Sequence, residues 1–141
     1  MTPAAIVIHG LAHARHALAA AAALRAPVTL ISAEGAAAYA GAGWFRAVVA
    51  EARAERPGVP VTAILDCGSE PGLVLGALRE GLTCLRYSGP AEVTAKLEAI
   101  ARAAGAVILA HRPPSLDLLD ARDPETACRQ WLAFATLDDD A

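Results

Sequence analysis

Residues Pro27–Ser69 read PVTLISAEGAAAYAGAGWFRAVVAEARAERPGVPVTAILDCGS. The stretch opens on an apolar run, Val28–Ser32, and closes on another, Val61–Asp66. Between them Ala36–Tyr39 predicts a short helical turn, interrupted by Gly41 and Gly43. Trp44–Arg56 predicts a helix with Phe45, Val48, Val49 and Ala52 on one face, stopped by Pro57-Gly58. Neither apolar run alternates cleanly with polar residues. Both therefore predict strands buried on two faces, as in a parallel sheet.

The same unit repeats on either side. Ala4–His9 predicts strand one and Leu11–Arg25 a helix ended by Pro27. After strand three, Glu70–Glu80 predicts a helix with Pro71 in its first turn and Gly81 past its end. Thr83–Tyr87 predicts strand four, Ala91–Ala104 a helix, and Val107–Ala110 strand five. His111–Pro114 breaks the pattern. A last helix is predicted over Pro124–Thr136, with Asp123 as its cap. The Asp138–Asp140 run reads as a solvated tail. No linker-like tract divides the chain, so residues 1–141 are expected to form one α/β domain.

Composition narrows the function. The net charge is -3 and aromatics make up 4%, so neither a phosphate-neutralising stripe nor a stacking platform for bases is expected. No apolar run reaches the roughly 18 residues of a membrane span. With no basic leader ahead of an apolar core, the chain is expected to be cytoplasmic. Cys67, Cys84 and Cys128 are odd in number and widely spaced, which suits reduced thiols.

The central segment resembles the class II fructose-bisphosphate aldolases. Those enzymes carry an apolar strand, an S-E-G-A type turn, a K-Y-x-G segment, a helix, and then P-V-x-x-x-L-D-H-G-S. Further on, GALREGLTCLRYSG is similar to the family's A-x-x-x-G-F-T-S-V-M-I-D-G-S. The resemblance covers about residues 4–110 and leaves 111–141 as a C-terminal extension. It implies half of a TIM barrel; the residue pattern itself gives five parallel strands, which could instead flatten into a flavodoxin-like sheet, and a C-terminal helix that lies outside the resemblance. It implies a metal, usually zinc, that polarises a ketose carbonyl, and an aspartate that moves the proton.

Under that resemblance Asp66 falls on the catalytic aspartate, and Cys67 replaces a metal-binding histidine. The strand-one asparagines fall at His9 and Gly10, and the substrate-contacting serine at Ala33, one residue after Ser32. Strand five reads AVILAH, without the family's carboxylates. The later metal histidines and the phosphate loop belong to barrel strands beyond those seen here.

Three candidate sites follow. His9, Cys67 and His111 stand at the ends of strands one, three and five, where alternate barrel strands could bring ligands together. Zinc is admissible there on chemistry but is not the expected cofactor, which stays unknown. His9, His13 and His16 share a helical spacing and read as a solvated face. Ser32, Gly35, Gly68, Ser69, Ser88 and Gly89 follow strands and could cradle a small phosphorylated ligand. Asp66 is either a retained catalytic group or a strand-end carboxylate that caps its turn.

The expected function is that of a remodelled, non-catalytic relative of the aldolase barrel that binds a small molecule or a protein partner. The alternative is a metal-dependent lyase or isomerase-like enzyme completed at a dimer interface. Open edges and an exposed apolar face predict a homodimer, or a terminal helix (Trp131, Leu132, Phe134, Leu137) that covers the opening.

Overall fold

A computed structural model describes residues 4–140, with side chains through residue 135. In chain order the elements are β1 (Ala5–Val7), α1 (Leu11–Leu24), β2 (Val28–Ile31), α2 (Ala42–Glu55), β3 (Val61–Asp66), α3 (Pro71–Arg79), β4 (Cys84–Arg86), α4 (Ala91–Ala103), β5 (Val107–Leu109), β6 (Ser115–Asp117) and α5 (Pro124–Asp140). A single 3-10 turn, Ala36–Ala38, precedes α2. The strands hydrogen-bond in the order β5-β4-β3-β2-β1-β6. Strands one to five are thus neighbours in chain order, as in a barrel segment. A flavodoxin-like sheet would place strand one between two and three.

The expected count of five strands is corrected to six. β6 pairs in parallel with β1, with Ile6 opposite Leu116 and Val7 opposite Asp117. Ser115-Leu116-Asp117 was invisible to periodicity because three residues carry no period. It is held by the backbone bond from Ala5 N–H to the Pro114 carbonyl, 2.8 Å, and by the β1 ladder.

The residues divide into two compact units. The first comprises the residues through Ile31, Val48–Thr62 and those from Pro113 onward; the second comprises Ser32–Ala47 and Ala63–Arg112. β3 begins in the first and ends in the second.

In the first unit, every residue of β1 and β2 is buried, as strands covered on both faces require. α1 buries Ala14, Ala17, Leu18, Ala20 and Ala21, and α5 packs against it. Alanines at such a contact let two helices approach closely, since the interaxial distance follows side-chain size. The Ala-rich run therefore forms a packing face. From α5, Cys128 and Leu132 are buried while Phe134 stays exposed. The Trp131 indole N–H donates to the Ala5 carbonyl at 3.0 Å. Asp123 caps α5, its carboxylate accepting from the Thr126 N–H at 3.2 Å and the Thr126 hydroxyl at 2.7 Å. The helix runs to Asp140, beyond the expected stop at Thr136. The side chains of Leu137 and of Asp138–Asp140 lie outside the described residues.

In the second unit, Phe45, Val74, Ala77, Leu85, Tyr87, Leu97 and Ala101 form the core. Pro71 occupies the first turn of α3, and Gly81, at φ 86°, ends that segment in the left-handed region that favours glycine. β4 pairs with β3 so that Asp66 stands opposite Arg86, and with β5 so that Arg86 stands opposite Leu109. That register positions the site.

Trp131→Phe keeps most of the apolar contact and removes the donor to Ala5. We expect it to lower the unfolding free energy by about 0.5–1.5 kcal/mol. Urea unfolding measures this, and an unchanged midpoint would show that α5 is not fastened through that bond.

Candidate functional site

The second unit brings together the turn after β2, the ends of β3 and β4, and the segment after β5. At their meeting point is Asp66, 0% exposed. A buried carboxylate is costly unless it is paired and hydrogen-bonded. Here both oxygens are engaged. Oδ1 accepts from the Gly35 N–H at 3.0 Å and the Gly68 N–H at 2.8 Å. Oδ2 accepts from Arg112 Nη1 at 2.8 Å and Arg86 Nη1 at 3.3 Å.

The local sequence explains each donor. Gly35 and Gly68 have φ of 67° and 59°, a region that glycine enters without steric cost, and this turns both N–H groups toward the carboxylate. Arg86 follows from the β3–β4 register. Arg112 is fixed by a second bond, Nη2 to the Ser32 carbonyl at 3.1 Å. Ser32 is itself buried. Its hydroxyl accepts from the Asp66 N–H at 2.9 Å and donates to the Ala33 carbonyl at 3.0 Å.

The sequence-predicted residues are distributed as follows. Asp66, Ser32 and Gly68 meet in this network. Gly68 N–H and Gly35 N–H, two donors of the expected anion cradle, are spent on Asp66. Ser69 and Ser88 are exposed, and the Ser88 N–H donates to the Gly68 carbonyl at 2.8 Å. Gly89 lies under the buried Tyr87 ring, where an added Cβ would overlap the ring and its hydroxyl. Its lack of a side chain thus serves packing.

The family's chemistry calls for a divalent metal, and the residues present do not fit one. Cys67 is 1% exposed. Burial, and then the neighbouring Asp66 charge, push its thiol up to about 12. His111 is exposed. His9 Nε2 lies 2.7 Å from Asp117 Oδ1. Among the described residues, no group of three or more His, Cys, Asp or Glu is placed to hold a metal ion. His9 belongs to the first unit, and Cys67 and His111 to the second.

His9 and His13 form a small network in the first unit instead. The His9 backbone N–H donates to His13 Nδ1 at 3.0 Å, and the rings meet edge to face with centroids 5.5 Å apart. Burial lowers the His13 pKa, and the nearby His9 and His16 add to this. Burial raises Asp117, but the Leu119 N–H and the His9 ring outweigh it and hold the carboxyl below its ordinary value.

Reasoning from sequence missed Arg86 and Arg112. Arg86 was detectable as a charge inside an apolar strand, CLRY, where the family motif has methionine. Arg112 gave no such signal, because it lies in an irregular stretch whose position only the tertiary fold fixes.

Sequential parallel strands joined by helices, with a carboxylate at the end of strand three, define an α/β protein built as a barrel segment. The profile of the family described as "Fructose-bisphosphate aldolase class-II" matches residues 2–113, and the chain belongs to that family. A crystal structure from Coccidioides immitis, assigned as a fructose-1,6-bisphosphate aldolase, shares the fold with a TM-score of 0.63 and 22% identity over 76% of this chain. The chain spans 40% of the length of that protein. No curated protein matches it.

Two predictions follow from these networks. Asp66→Asn leaves two guanidinium groups without their buried counter-charge, and we expect a loss of about 3–5 kcal/mol in unfolding free energy. A loss below about 1 kcal/mol in denaturant titration would contradict the network's role. The folded-state pKa values of His13 and Asp117 both lie below their unfolded values. The stability they contribute is present above the unfolded values and is lost as pH falls through the folded ones. For His13, lowered from 6.5, urea midpoints should therefore drop as pH is lowered from about 7.5 to about 5.5, and His13→Gln should reduce that drop; the Asp117 contribution is lost only below its ordinary value of 3.8.

Proposed function

We propose that this chain is a remodelled aldolase-family domain that binds a small molecule and does not cleave aldols. The observation that carries this reading is the engagement of Asp66. The resemblance makes it the proton-moving aspartate, yet here it is buried and accepts from four protein donors. A general base needs a lone pair within reach of a substrate proton, and the bonds that hold this carboxylate leave it a structural task. The placement of Cys67 is in keeping with the same reading, since the residue at the position of a metal histidine is almost fully buried.

The three cysteines are free thiols, which suits a cytoplasmic, reducing setting. Among the described residues no helix is long and apolar enough to cross a membrane. In the second unit, β5 ends the strand order, and Val107 on it is 57% exposed. Such an edge favours pairing with a second copy, so a homodimer belongs to the proposal.

The test is a coupled assay of fructose-1,6-bisphosphate cleavage with added zinc or manganese, run beside a thermal-shift panel of neutral and anionic metabolites. We expect no cleavage above the blank and a raised midpoint with at least one panel member. Cleavage that disappears in Asp66→Asn, with the variant still folded, would overturn the reading.

A further inference from the structure

The Asp66 network leaves a charge imbalance. Two guanidinium groups meet one buried carboxylate, so the triad carries an excess positive charge. Arg86 and Arg112 are mostly buried, with side chains 13% and 21% exposed. Among the described residues, the further anion close to them is Glu34, whose Oε1 lies 3.6 Å from Arg86 Nη1. That distance is beyond a good hydrogen bond. Glu34 is 75% exposed, so water screens the pair and it holds weakly.

Arg86 also has a donor to spare. Its Nε is buried and makes no hydrogen bond. A buried orphan donor is uncommon and calls for a partner. Asp66 and Glu34 both engage Nη1. The edge formed by Nε and Nη2 is not used by either. That edge is the fork that grips a planar or tetrahedral oxyanion through two parallel bonds.

We propose that Arg86, with the charge of Arg112 close by, binds a small oxyanion, the phosphate or carboxylate group of a metabolite, on its Nε–Nη2 edge, in competition with the charge of Glu34 at Nη1. The inference rests on the small-molecule reading above and names the chemistry of the ligand. The site is distinct from the phosphate loop that the family carries on later barrel strands. Asp66 already fills the backbone donors of Gly35 and Gly68, so the incoming anion is held by side chains. Asp66 keeps the two arginines converged, and Glu34 acts as an internal competitor that neutralises them when no ligand is present.

The experiment is isothermal titration of the full chain with inorganic phosphate, and separately with acetate, at constant ionic strength. Wild type, Glu34→Gln and Arg86→Lys are compared, with folding checked by circular dichroism. Glu34→Gln removes an exposed competitor, and phosphate or acetate should bind roughly two- to five-fold tighter. Arg86→Lys keeps the charge but loses the fork, and binding should weaken by about ten-fold or more. Should Arg86→Lys not fold, Glu34→Gln decides alone. A response to phosphate marks a phosphoryl group, and a response to acetate a carboxylate. Oxyanion binding that neither variant alters, or no oxyanion binding at all, overturns the proposal. If a neutral member of the metabolite panel stabilises the protein meanwhile, the small-molecule reading stands and this inference fails alone.

Discussion

A carboxylate with no exposure to water must find its solvation inside the protein, and at Asp66 that requirement organises the surrounding chain. Four donors come from four separate segments: the turn after β2, the turn after β3, strand β4, and the stretch after β5. Each is positioned for the purpose. Two glycines adopt left-handed conformations, one arginine sits at the facing register position, and another is tethered through Ser32. Removing the charge would leave the donors buried and unmatched, which costs more than the intact network gains over an apolar replacement. The network therefore constrains conformation more surely than it adds stability.

That constraint bears directly on function. In the family to which the chain belongs, the resemblance assigns the strand-three carboxylate to proton movement beside a metal. Here the residue type persists while its neighbours have changed. Cys67 replaces the following histidine and is buried. Arginine stands at position 86, where the family motif is apolar. The carboxylate is tied to cations of the protein itself. The four bonds to Asp66 are the observation on which the proposed binding role rests.

The first unit handles a different physical problem. Short parallel strands buried on both faces need cover, and α1 and α5 supply part of it. The alanines of α1 suit a close helix contact, Cys128 and Leu132 of α5 are buried, and Trp131 ties α5 to the β1 backbone. β6 adds hydrogen bonds along β1. The His9–Asp117 pair links the ends of those two strands.

The strand–helix repeat was legible in the sequence because apolar runs, helical periodicity and Pro/Gly stops are local signals. β3 was read at its observed bounds, and the helices to within a few residues. Asp66, too, stood out, since a carboxylate closing an apolar strand is conspicuous in one dimension. β6 was not legible, because a three-residue strand owes its existence to the ladder beside it. Nor was the company that Asp66 keeps with Arg86 and Arg112. The sequence by itself determined the elements and their order, since propensity and periodicity act over a few residues. Only the tertiary structure decided which charges meet, because hydrogen bonds and ion pairs depend on distances between segments 20 to 46 residues apart in the chain.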